Sequence, residues 1–184
     1  MMEDAIYISI VIIIVFAIMF LFQTKKPEIK KKGILIPDEE VTVSSVYKNL
    51  VGFKPLSREG RKNGFTEKDA QEDMDRYLKR YYNSVTREHG IEGKNAKRID
   101  FDIGNGKVGI EVKLADSLLK EGESDRLMGQ IRKYSKRRYY QNNLLVAIIG
   151  NSDHERDTVL HEIQKDILSE GVSWIFLKVP KRRL

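Results

Sequence analysis

The chain has no cysteine, which excludes disulfides, thiolate zinc sites and cysteine nucleophiles together. That absence fits a reducing compartment. Histidine is almost as scarce, and His89, His154 and His161 lack the spacing of an imidazole metal site. No serine sits in a nucleophile elbow. Gly104-Asn105-Gly106 joins two strand-like runs and is not followed by Gly-Lys-Ser/Thr, so it reads as a turn and not as a phosphate loop. Only four prolines occur, and three of them (Pro27, Pro37, Pro55) fall in one stretch. Acidic residues are outnumbered, 27 against 33 Lys and Arg, for a net charge of +6. Such a surplus favours a polyanionic partner or an anionic membrane surface. With 184 residues, 41% of them hydrophobic, the chain can bury a real core, and its length suggests one domain with extensions.

The longest apolar run is Ala5 to Phe22, interrupted only by Ser9 and long enough to cross a hydrocarbon core. Glu3 and Asp4 precede it where a secretory signal would be basic, and no A-x-A site follows. Lys25, Lys26, Lys30, Lys31 and Lys32 come directly after. The positive-inside rule then puts the N-terminus outside and the rest of the chain in the cytoplasm. The expected organisation is a transmembrane anchor over 1–23, a basic tether and irregular linker over 24–63, and a folded domain over 64–184. Within the linker, Val41–Leu50 has the composition of a short strand or helix that docks on the domain.

The chemistry gathers around Asn105-Gly106. Asn-Gly between two alternating runs, here Lys97–Ile103 and Val108–Ala115, signals a hairpin with a two-residue type I′ turn. The register that follows sets Asp100 opposite Glu111, with Lys113 two residues on and projecting to the same face. Two facing carboxylates repel in a purely structural sheet. Beside a divalent cation they become a hydrolytic centre, because Mg²⁺ takes hard oxygen ligands, lowers the pKa of a bound water and polarises a phosphoryl oxygen. Lys113 would position that water or stabilise the developing charge. Asp102 shares the Asp100 face and is the second choice of ligand.

Around this hairpin the periodicity predicts a helix from Thr66, capped with Asp69, to about Tyr82, with Ala70, Met74, Tyr77, Leu78 and Tyr81 as its apolar stripe. A second helix is predicted from Ser124 to about Tyr140. It carries Gln130 and Tyr134 on one face, together with the basic residues Arg132, Lys133, Lys136, Arg137 and Arg138. Leu144–Gly150 reads as a strand buried on both faces, His154–Ser169 as a helix and Val172–Val179 as a last strand. A weak strand signal lies around Val85–Glu92.

Arg98-Ile99-Asp100 followed by Glu111-Val112-Lys113 closely resembles the signature of the PD-(D/E)XK, or restriction-endonuclease-like, nuclease superfamily. Gln130 and Tyr134 resemble the Gln-x-x-x-Tyr motif of its RecB-like branch, and the resemblance covers about 65–179. It implies an α/β fold with an α-β-β-β-α-β core, a central mixed sheet flanked by helices. It also implies Mg²⁺, which Mn²⁺ could replace, on Asp100, Glu111, the Val112 carbonyl and Glu67 of the first helix. Gln130 and Tyr134 would then line the cleft, with Arg132, Lys133, Lys136 and Arg137 as a phosphate-binding patch. The expected function is a membrane-anchored, metal-dependent nuclease at the cytoplasmic face, acting on nucleic acid, with DNA ahead of RNA. A second copy of the chain and a helicase both stay open as protein partners. The alternative is a catalytically inactive membrane-tethered nucleic-acid-binding or adaptor protein.

Overall fold

The computed structural model describes residues 35–56, 65–90, 98–135, 140 and 142–179. The apolar run of 5–22, the lysines that follow it, and Lys136, Arg137 and Arg138 lie outside the described residues. Among those described, no helix is long and apolar enough to cross a membrane.

A short 3₁₀ turn, Asp38–Glu40, leads into helix α1, Val43–Val51. Thr42 settles helix over strand here. Its hydroxyl accepts from the Ser45 N–H while the Ser45 hydroxyl accepts from the Thr42 N–H, which is a reciprocal cap. Val46 and Leu50 of α1, with Val41 and Phe53 at its flanks, are buried in the core. This part of the expected linker is therefore built into the domain.

Helix α2, Glu67–Leu78, is capped as predicted, with Thr66 Oγ1 accepting from the Asp69 N–H at 3.2 Å and Asp69 Oδ2 from the Thr66 N–H at 3.1 Å. It stops at Leu78, short of the predicted Tyr82. Tyr82 forms a lone bridge with Ile36, and its hydroxyl accepts from Asn49 of α1.

Five strands follow: β1 (Val85–Gly90), β2 (Arg98–Ile103), β3 (Val108–Leu114), β4 (Leu144–Gly150) and β5 (Ser173–Lys178). They form one mixed sheet in the order β1-β2-β3-β4-β5. The first three are antiparallel neighbours, and β4 and β5 add on in parallel. Between β3 and β4 lie a short helix α3 (Ala115–Leu118) and α4 (Glu123–Ser135); between β4 and β5 lie α5 (Asp153–Glu162) and α6 (Gln164–Ser169). The single helix predicted over His154–Ser169 is thus two, because Ile163, with φ −118°, leaves helical geometry between them.

The hairpin register is the one that Asn105-Gly106 predicts: Phe101 pairs with Ile110, Asp102 with Gly109 and Ile103 with Val108. Asn105 (φ 53°) and Gly106 (φ 90°) both have the positive φ that the predicted type I′ turn asks of them. Gly104 (φ 68°) is left-handed too, so strand pairing ends at Ile103 and the connection covers 104–107.

The sheet separates two apolar layers. Phe101, Ile110, Val112, Leu145 and Ala147 pack beneath α1 and α2, while Leu144, Val146 and Ile148 pack against α3–α6. β4 has no polar face because alternate side chains enter opposite layers. β3 behaves differently. Its even-numbered residues Val108, Ile110, Val112 and Leu114 fill the first layer, which leaves Gly109, Glu111 and Lys113 on the face toward α4. A β-carbon at Gly109 would run into the Ile99 side chain and the Tyr140 ring. Gly109→Ala is therefore expected to destabilise the domain by about 1–3 kcal/mol, read as a lower urea midpoint with an unchanged slope.

Candidate active site

The sheet opens where the carboxylates meet. The β2–β3 ladder stops at the Phe101–Ile110 pair, and the predicted Asp100–Glu111 pairing is not continued. The Asp100 Oδ2 takes the Val112 N–H at 2.7 Å, in place of a backbone acceptor from β2. The alternation of β2 slips at the same point: Ile99 belongs to the layer under α4 and Phe101 to the opposite layer, although both are odd positions of one strand. On the other side, Glu88 takes φ 47° between the paired residues Arg87 and His89. Breaks of this kind re-aim side chains, and the one re-aimed here is Asp100.

Glu111 and Lys113 are carried by the regular part of β3 and are both buried, 1% and 4% exposed. Lys113 Nζ lies 2.7 Å from Glu111 Oε1 and donates to the Val112 carbonyl at 3.1 Å. The other oxygen, Glu111 Oε2, is buried without a hydrogen-bond partner among the described residues, and so is Gln130 Oε1 of α4. Tyr134, one turn beyond Gln130, lies against both Gln130 and Glu111, and its hydroxyl donates to the Arg98 carbonyl at 2.9 Å.

Helix α2 closes the site from the other side. Glu67, in its first turn, places Oε1 3.6 Å from Lys113 Nζ. Gln71, one turn further on, donates through Nε2 to Asp100 Oδ1 at 2.9 Å. Gln71 is the site residue that the sequence did not single out. Its signal was the i, i+4 spacing from Glu67, which puts the two on one helix face.

The charges respond to this enclosure. Burial, reinforced by the negative charge of Glu111, pushes the Asp100 carboxyl up to about 7. Burial also raises Glu111 above the usual carboxylate range, against the opposing pull of Lys113. Burial alone would lower Lys113, but the carboxylates of Glu111 and Glu67 outweigh it and hold the ammonium above its ordinary value. Tyr134 is raised as well, first by burial and then by Glu111 and Asp100.

This donor set suits a hard cation. Every atom on offer is an oxygen: Asp100, Glu111 with its unpartnered Oε2, and the Val112 carbonyl. Among the described residues no three His, Cys, Asp or Glu side chains are grouped to hold a metal ion. Two carboxylates and a carbonyl nevertheless match Mg²⁺, which typically keeps several waters and binds through one or two carboxylates plus substrate phosphate. Asp102, the second-choice ligand, has another use: its Oδ1 accepts the Gly106 N–H at 2.8 Å and closes the hairpin turn.

Of the expected phosphate-binding patch, Arg132 and Lys133 are exposed on α4, and Arg132 Nε is bonded to Glu170 Oε1 at 2.7 Å. Lys136 and Arg137 lie outside the described residues.

Comparison of the chain with protein-family models, with curated proteins and with solved structures gave no match.

Proposed function

We propose that this chain is a metal-dependent nuclease that hydrolyses phosphodiester bonds of nucleic acid, DNA ahead of RNA. One observation carries the reading: the buried carboxylate of Glu111, the half-buried carboxylate of Asp100 and the buried Lys113 converge where β2 and β3 part, although their enclosure raises both carboxyl groups. A fold under no functional demand would place apolar residues at Glu111 and Lys113, since buried ion pairs rarely gain stability over well-packed apolar side chains. The succession α2, β1, β2, β3, α4, β4 also agrees with the α-β-β-β-α-β core of the restriction-endonuclease-like enzymes that the motif resembles.

In this reading Asp100, Glu111 and the Val112 carbonyl hold Mg²⁺ or Mn²⁺. A bound divalent cation supplies a hydroxide near neutral pH and neutralises charge on the phosphoryl oxygens. Lys113, kept protonated by its acidic neighbours, presents a compact positive charge to the phosphorane-like transition state. Gln130 offers its unpartnered oxygen to a water or to the substrate, and Gln71 and the Val112 N–H fix the plane of the Asp100 carboxylate. The N-terminal run of 5–22 would tether the domain at the cytoplasmic face of a membrane.

The test uses the full chain in mild detergent with single- and double-stranded DNA and RNA, comparing Mg²⁺ or Mn²⁺ with EDTA. Metal-dependent cleavage that Lys113→Ala abolishes is the expected result. Nucleic-acid binding without cleavage, equal in the variant, would leave a tethered binding module instead.

A further inference from the structure

Lys113 contacts three oxygens: Glu111 Oε1 at 2.7 Å, the Val112 carbonyl at 3.1 Å and Glu67 Oε1 at 3.6 Å. The first two belong to the residues assigned above to the cation, so this inference rests on that reading. An ammonium and a divalent cation cannot share those oxygens without strong repulsion, because both are compact positive charges. The third oxygen has a different character. Glu67 sits in the first turn of α2, where the helix N-terminus favours negative charge, and its side chain is 35% exposed.

We infer that Glu67 is a positioning residue for Lys113 and not a ligand of the cation: it is the anionic partner that Lys113 keeps when a cation takes Glu111 and the Val112 carbonyl. Glu67 thereby lowers the barrier that Lys113 sets against metal binding and holds the ammonium at the edge of the site, beside the position of a phosphodiester. Helix α2 then serves both halves of the centre, Gln71 aligning Asp100 and Glu67 retaining Lys113.

A double-mutant cycle separates this from direct ligation. Mn²⁺ affinity of the full chain is measured by calorimetry for the wild type, Glu67→Gln, Lys113→Met and the double variant. If Glu67 acts through Lys113, Glu67→Gln weakens Mn²⁺ binding roughly tenfold in the wild-type background. The same substitution then has no effect once Lys113 is methionine. An equal loss in both backgrounds makes Glu67 a ligand and overturns the inference, as does no loss in either. A wild type that binds no Mn²⁺ sinks the metal-dependent reading itself, which is a distinguishable result. Should Lys113→Met not fold, Lys113→Gln keeps a hydrogen-bond donor for Glu111 and completes the same cycle.

Discussion

Glu111→Gln is expected to lower metal-dependent cleavage by at least about a thousandfold while leaving the fold in place. Glutamine keeps the size of the side chain and can still accept from Lys113 through Oε1. What it removes is the negative charge and the unpartnered Oε2, the oxygen proposed above for the cation. Stability should change by no more than about 1–2 kcal/mol in either direction. The buried charge is relieved, and Lys113 retains Glu67 at 3.6 Å. Glu111→Ala, by contrast, strips Lys113 of its nearest partner, and breaking a buried pair typically costs about 3–5 kcal/mol. Specific activity and the urea midpoint, measured on both variants, separate lost chemistry from lost structure. Cleavage retained in Glu111→Gln would remove Glu111 from the reaction.

The readable part of this site is the part that local physics specifies. Asn105-Gly106 can satisfy two consecutive left-handed positions, so the register of Phe101–Ile103 with Val108–Ile110 follows from two residues, although the ladder stops short of Asp100. Thr66 with Asp69 fixes the start of α2 in the same local way. The run of β4 needs no alternation because helices cover both faces of the sheet. Other features depend on partners distant in sequence. β1 is an edge strand with half its residues exposed, so its pattern is weak. Val43–Val51 is apolar enough for either state; the Thr42–Ser45 cap makes it a helix, and only the burial of Val46 and Leu50 beside α2 settles its place. Asp100 and Asp102 share a face of β2, and register already ranks Asp100 first, because Asp102 faces Gly109 and lies further from Glu111. The fold widens that difference: the Gly106 N–H claims Asp102, while the parted strands give Asp100 the Val112 N–H. Gln71 shares a helix face with Glu67, but only the fold brings Asp100 to it.

The stability of the protein is expected to decrease as pH rises from about 4 to about 7, and added Mg²⁺ to restore it increasingly over the same range. Asp100 titrates at about 7 in the folded protein, against an ordinary value of 3.8. Between those values the folded state holds a proton that the unfolded chain has released, so stability falls with rising pH. The contribution is fully present below about 4 and lost above about 7, with a span of up to roughly 4 kcal/mol. Glu111, also raised, acts in the same direction. Lys113 is raised from 10.5 and stays protonated in both states throughout this window, so it leaves the slope unchanged. A divalent cation competes with the proton for Asp100, and below pH 7 its apparent affinity should drop up to about tenfold per unit. Thermal unfolding at about pH 5.5 and about pH 8.5, with and without Mg²⁺, reads both effects. The increment given by Mg²⁺ should be small at the lower pH and several degrees at the higher. Asp100→Asn should reduce the pH dependence to the part that Glu111 contributes and abolish the increment, because asparagine has no proton to lose and no charge to offer. An increment of the same size at both values would mean that the cation binds elsewhere, and Asp100 would then be a structural carboxyl.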